Sequence, residues 1–203
     1  MNLYNKEGII VSTIQEEDKE KVLEYFSENN FNCDYETGAL RPTNSQFMQI
    51  MDGIIAGQDD ENNILVLKKE GEVIGYESMY VEYDRLKIGH IAVKKSERGK
   101  GYGELLTRLA ILIAENEDRD VGLYCQYSNN SYFKKLGLET KDNIHYLYKR
   151  KGIKTQGLPK LFVSVSEYEK RQEQKLKDET ESFARFLNSD IMQKLFDLDG
   201  EYR

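Results

Sequence analysis

The chain has no tryptophan, only two cysteines, two prolines and two histidines, and no long apolar run in its 203 residues. Cys33 and Cys125 alone do not make the cross-linked framework of small secreted folds, so a reducing cytoplasm is the expected setting. A membrane helix needs roughly 20 consecutive apolar residues, and no segment comes near that. The start, MNLYNKEGII, lacks the apolar stretch of a secretory signal. Neither membrane insertion nor export is therefore expected. Basic residues are the minority as well. Lys and Arg number 29 against 36 Asp and Glu, a net charge of −7, which argues against the broad basic face that nucleic acids require. No metal is expected either.

What is present is the composition of a globular domain, 39% hydrophobic and 32% charged. Residues 151–203 balance ten bases against ten acids, so the whole acidic excess lies in residues 1–150. An acidic body favours cationic small molecules or basic peptides as partners, or serves only to solvate the surface.

The periodicity predicts a strand at Gly8–Ile14, then a helix with Val22, Leu23 and Phe26 on one face. A loop over 29–44 leads to a second helix, capped by Thr43 or Asn44 and striped with Phe47, Met48, Ile50, Met51, Ile54 and Ile55. Three strands follow as an antiparallel meander, Ile64–Lys69, Glu72–Tyr83 and Arg85–Lys95, turning at Glu70-Gly71 and at Asp84. A core-facing helix carries Leu105, Leu106, Leu109, Leu112 and Ile113 and ends near Asn116. Then come a strand at VGLYCQY, a short helix closed by Gly137, and a strand at IHYLYKR. Beyond a linker, LFVSV reads as one more strand, Ser166 with Glu169 as a capping box, and the rest as a heavily charged helix with i, i+4 pairs at Glu167/Arg171, Glu173/Lys177 and Glu181/Arg185. An apolar stripe from Phe183 to Phe196 either packs on its own domain or docks a partner or a second copy, making a homodimer.

The stretch ERGKGYGELL is the most pointed feature. It sets Gly99, Gly101 and Gly103 where a helix should begin, although each glycine costs a helix about 1 kcal/mol. A helix start offers unpaired N–H groups and a partial positive charge, and glycines let an anion come close; Arg98 and Lys100 add charge at the rim. The spacing matches neither the Walker nor the dinucleotide pattern. Arg98-x-x-Gly101-x-Gly103, with HIAV before it, ELL after it and NNSYFKKLGLE further on, resembles the acyl-CoA loop and later motif of the GNAT superfamily of N-acetyltransferases. The element order over residues 8–150 resembles that family too.

The resemblance implies an α/β (α+β) fold with a mixed, twisted central sheet flanked by helices. Residues 1–150 would form the acetyl-CoA-binding domain, and 151–203 a C-terminal extension of one strand and charged helices. Acetyl-CoA would be held by Ile91, Ala92 and Val93, by Arg98, Gly99, Lys100, Gly101, Tyr102 and Gly103, and by Asn129, Asn130 and Phe133. An acetyl group would pass directly to a primary amine, on a small molecule or a peptide, with the Val93 amide as oxyanion donor.

The chain departs from the family pattern twice. Lys87 stands where many members carry a glutamate, and Phe133 where the usual tyrosine stands. Glu77, Glu82 and Asp84 are then candidates for relaying a proton, or merely line a solvated strand face; Glu77 is taken as the base. Tyr132 is the candidate acid, although adjacent helical residues point about 100° apart. Alternation places His90 on the face opposite Lys87, as a structural histidine. Cys125 reads as a buried small residue rather than a nucleophile. The rival readings are a non-catalytic acyl-CoA sensor and an interaction protein acting through its C-terminal helices.

Overall fold

The computed structural model describes residues 1–28, 42–125, 127–141, 143–149, 161–162 and 164–187. The chain forms two compact units, Met1–Val163 and Ser164–Arg203.

The first unit is built on one sheet of eight strands: β1 (Asn2–Lys6), β2 (Ile9–Thr13), β3 (Asn62–Lys69), β4 (Glu72–Glu82), β5 (Arg85–Val93), β6 (Asp120–Tyr124), β7 (Glu139–Lys141) and β8 (Asn143–Lys149). Their spatial order is β1-β2-β3-β4-β5-β6-β8-β7. Every neighbouring pair is antiparallel except β5 and β6, which run parallel. A parallel pair needs a crossover, supplied by α3 (Tyr102–Asn116). The other helices of this unit are α1 (Lys19–Glu28), α2 (Asn44–Ile55) and α4 (Asn130–Lys135).

Alternation along β3 and β4 divides the core. Ile64, Val66 and Tyr76 join Val22, Tyr25 and Phe26 of α1 and Phe47 and Met51 of α2 in one buried cluster, in which Phe26 stacks on Phe47 at 4.1 Å. Leu65, Leu67 and Met79 face the other way, and so do Leu86 and Ile88 on β5. On that side α3, which buries Leu106, Leu109, Ala110, Ile113 and Ala114, packs against β3, β4, β5 and β6. Leu112 belongs to the expected stripe but is 37% exposed, on the outer flank of α3.

Two strands escaped the sequence reading. β1 is a polar edge strand without alternation, joined to β2 through Glu7 and Gly8 at φ 51° and 77°. β7 is only three residues long. Glu70 and Gly71 are also both left-handed, φ 51° and 87°, which is the two-residue hairpin geometry that suits the twist of a sheet. Thr43 proves to be the cap of α2, its hydroxyl accepting from the Gln46 amide at 3.2 Å.

The expected strand at LFVSV does not form among its described residues. Leu161 and Phe162 are irregular, and the Leu161 amide is taken by the Glu117 carboxylate at 2.6 Å. Val165 already opens the next helix, α5 (Val165–Leu187), in the second unit. Ser164 rather than Ser166 caps it: the Ser164 hydroxyl accepts from the Glu167 amide at 3.3 Å. Of the three expected pairs along α5, Glu167–Arg171 closes at 3.0 Å, while Arg185 bonds the Glu181 carbonyl instead. The stripe from Phe183 to Phe196 begins in the last residues of α5, but its apolar side chains, the residues from 188 onward and the loop over 29–41 lie outside what is described.

Candidate functional site

β5 and β6 are paired only from Arg85 with Asp120 to Ile88 with Leu123, and then diverge. The opening lies just past a bulge. Ser78 of β4 faces His90 and Met79 faces Ile88, so Gly89 is an extra residue on β5. The bulge resets the alternation and corrects the expected placement of His90: His90 and Lys87 lie on the same face, the one that also carries Ser78 and Tyr80. His90 is structural in its contacts, its Nδ1 2.5 Å from the Tyr76 hydroxyl and its ring against Phe26 and Tyr76. Lys87 is almost wholly buried, with its ammonium over the Tyr124 ring and 3.5 Å from Glu82.

Past the bulge the backbone of β5 has a free side. The Lys94 amide bonds the Ile74 carbonyl across to β4 at 2.8 Å, so by alternation the N–H and C=O of Val93 point into the opening, as do those of Ile91. Arg98 reaches back to this edge, its Nε donating to the Val93 carbonyl at 2.9 Å.

The opening continues into a cleft of about 550 Å³ lined by Ile91 and Val93, by Glu97, Arg98, Gly99, Gly101, Tyr102, Gly103 and Glu104, and by Asn129, Tyr132 and Phe133 of the α4 region. Gly99 and Gly101 are left-handed, φ 79° and 85°, and nothing lies within 4 Å of where their β-carbons would be. Gly101 is the N-cap of α3 with no side chain capping it. The first intrahelical bond runs from the Leu105 amide to the Gly101 carbonyl, so the Tyr102, Gly103 and Glu104 amides have no intrahelical partner. Gly103 answers to a different constraint. A β-carbon there would sit 3.2 Å from the Tyr132 hydroxyl.

Tyr132 stands edge-on to Phe133 at 4.9 Å and presents its hydroxyl to the first turn of α3. Burial raises its phenol above the ordinary 10.0; a hydrogen bond with Thr107 works against this, and the nearby Glu104 and Glu77 carboxyls add to it. Glu77 is 0% exposed, not on a solvated face, and neither carboxyl oxygen has a hydrogen-bond partner. It pairs across the strands with Ile91, on the α3 side of β4. Burial alone pushes its carboxyl well above the ordinary 4.5.

Most expected residues therefore converge on the cleft, but four do not line it. Glu77 is wholly buried behind it, paired across the strands with Ile91. Ala92 is packed in the core beneath α1 and α2. Asn130 is buried, its Oδ1 accepting from the Cys125 thiol at 3.0 Å. The Lys100 ammonium turns to Glu97 at 3.0 Å. Glu97 and Glu104 line the cleft without having been anticipated, since a carboxylate beside an anion site carries no signal in a motif of glycines and cations. Among the described residues no group of three or more His, Cys, Asp or Glu is placed to hold a metal ion, and no helix is long and apolar enough to cross a membrane.

The sequence profile described as "Acetyltransferase (GNAT) family" matches residues 21–138. Over 79 residues the chain is 33% identical to a Bacillus subtilis (strain 168) protein named a putative ribosomal protein bS18-alanine N-acetyltransferase. That match takes in 37% of this chain and 52% of the other, so the chain spans about half the length of this curated relative. Among solved structures, the PaiA N-acetyltransferase of Thermoplasma acidophilum, in complex with coenzyme A, superposes with a TM-score of 0.57 at 15% identity, over 72% of this chain and all (100%) of that one. A GNAT family acetyltransferase of Brucella melitensis, in complex with acetyl-CoA, gives 0.51 at 14% identity, over 77% and 97%. At such identities these likenesses speak for the fold.

Proposed function

The chain belongs to the GNAT acetyltransferase family, and from that premise we propose that it moves an acetyl group from acetyl-CoA to a primary amine by direct attack, with both substrates bound together. The observation that carries this reading is one cleft with two sets of unpaired backbone donors: the uncapped first turn of α3 at one end and the open edge of β5 at the other.

The fit to the cosubstrate rests on the same features. A diphosphate suits the three uncapped amides and the open space over Gly99 and Gly101. An amide-bearing arm suits the exposed N–H and C=O of Ile91, in the manner of an added strand. Bound there, acetyl-CoA supplies an activated acyl carbon.

The residues then divide the work. The Val93 amide, directed into the opening, donates to the carbonyl oxygen as negative charge develops on it. Glu77 in its carboxylate form takes the proton that the amine must lose before it attacks, through a water admitted with the substrate; burial, by raising the carboxyl, makes that carboxylate the stronger base. As the new C–N bond forms and the C–S bond breaks, the Tyr132 hydroxyl hands a proton to the departing sulfur. Cys125, buried, bonded to Asn130 and away from the cleft lining, is left out of this chemistry, in keeping with transfer that has no covalent enzyme intermediate. These proposed roles fall within residues 1–150. Cys125, in no disulfide among the described residues, suits a reducing cytoplasm. The name of the Bacillus relative, which specifies an alanine amine, supports a peptide among the acceptors.

The test is a thermal melt with acetyl-CoA, with ATP and NAD as controls. Ligand at 100 times its Kd adds about 2.7 kcal/mol, a rise of roughly 5–10 °C for a domain of this size. A rise with acetyl-CoA alone supports the reading, and no rise at millimolar ligand overturns it. The rival reading, a non-catalytic sensor, draws on Lys87 and Phe133 at the usual proton-transfer positions. It requires the same rise but no CoA release with any amine, which a thiol-trapping assay over an amine panel decides.

A further inference from the structure

The glycine turn has a second cationic element that comes from a distant part of the chain. Lys69 is the last residue of β3, on the same side of the strand as Leu65 and Leu67, the side covered by α3. Its neighbour Lys68 points the other way, to Asp18 at 2.6 Å. Alternation thus sends the Lys69 ammonium to the start of α3, where it meets Glu97 Oε2 at 3.3 Å. The same oxygen receives the Lys100 ammonium at 3.0 Å. Glu97 is itself largely enclosed, its side chain 15% exposed, and lines the cleft directly before Arg98. Two ammonium groups are thereby gathered around one carboxylate oxygen, and one positive charge of the trio is left uncompensated.

Glu97 lines the same cleft as the uncapped amides, and Lys100 directly precedes Gly101, the N-cap of α3. The amides are the better seat for a diphosphate, whose two phosphates carry about one negative charge each. Two lysines are the better seat for a phosphomonoester, which carries about −1.5 to −2 at neutral pH and offers three acceptor oxygens. A dianion outcompetes a single carboxylate for two ammonium groups, and Lys serves phosphate as a point charge with rotatable donors. Resting on the reading that acetyl-CoA occupies the cleft, we propose that Lys69 and Lys100, held together by Glu97, form the subsite for the ligand's phosphomonoester, the 3′-phosphate on its ribose. Lys69 is then a specificity residue for the cosubstrate, distinguishing the phosphorylated carrier from its dephosphorylated form.

Calorimetric titration with acetyl-CoA and with acetyl-3′-dephospho-CoA tests this in the full chain and in Lys69→Gln and Lys100→Gln. Both lysines are partly exposed, so both variants should fold, which an unchanged Tm without ligand checks. In the unmodified protein acetyl-CoA is expected to bind more tightly than its dephospho form. Each substitution is expected to weaken acetyl-CoA by roughly three- to tenfold at low salt and to leave the dephospho form within a factor of two. Equal affinity of the unmodified protein for the two ligands, or equal loss of both in the variants, overturns the subsite while leaving the CoA reading standing. Binding of neither ligand overturns both.

Discussion

Replacing Glu77 with methionine should make this protein more stable and less active, and the stability gain should depend on pH. Glu77 is 0% exposed with both oxygens unpartnered, so even its neutral form carries an unsatisfied buried polar group, a cost of about 1–3 kcal/mol. Methionine has a similar length and adapts to irregular space, and removes that cost. Charge adds a second part. Below the ordinary carboxyl value of 4.5, Glu77 is protonated in the native and the unfolded chain, and titration contributes nothing. Above it, the unfolded chain releases the proton while the native state retains it. The unfolded state then binds fewer protons, and stability falls by up to about 1.4 kcal/mol per pH unit until the raised native value is reached. The variant lacks this slope. Its advantage should be about 1–3 kcal/mol near pH 4.5 and should widen as the pH rises above that, until the raised native value is reached. Urea unfolding of both proteins at pH 5, 6 and 7 measures it, and Glu77→Gln, which keeps the unsatisfied dipole but cannot ionise, separates the two parts. Acetyl transfer should fall at least about 100-fold in either variant. A methionine variant that is less stable at every pH, or whose advantage is the same at pH 5 and pH 7, would refute the reasoning.

Tyr132→Phe retains the ring against Phe133 and removes only the hydroxyl beside Gly103. The rate should drop roughly 10²-fold with acetyl-CoA affinity kept, read as a fall in kcat at unchanged Kd. Gly75→Ala would put a β-carbon 2.6 Å from the Ala92 carbonyl oxygen, backbone that cannot step aside without parting β4 from β5. It should cost about 1–3 kcal/mol, a fall in Tm of roughly 2–12 °C, seen by calorimetry.

Much of this architecture was written in periodicity. The α2 stripe, the meander and the glycine turn could be read because each is a local pattern whose physical cause lies within a few residues. What could not be read required knowledge of neighbours. Alternation alone puts His90 opposite Lys87, and only the pairing of β4 with β5 reveals Gly89 as an extra residue. Glu77 gave no sign of burial, because a carboxylate in a strand usually marks a solvated face. LFVSV has the composition of a strand, but the Leu161 amide is already committed to Glu117. Lys69 looks like any strand-end lysine until the fold brings β3 beside the start of α3. At the cleft itself, backbone donors were foreseeable from the glycines, whereas the carboxylates of Glu97 and Glu104 follow no motif.

The attachment at Glu117 governs how the two ends of this chain can be separated in the laboratory. Its carboxylate accepts the Leu161 and Phe162 amides and lies 3.6 Å from the Arg119 guanidinium, which in turn donates to the Tyr83 carbonyl. Phe162 is buried at the same place. A truncation ending at Arg150 would strip two donors from an enclosed carboxylate and uncover an aromatic socket. Any loss of solubility would then report damage to the first unit rather than a role for the second. An expression boundary set after Phe162 keeps that seam closed, and only a chain cut there lets the C-terminal helix be assayed on its own account.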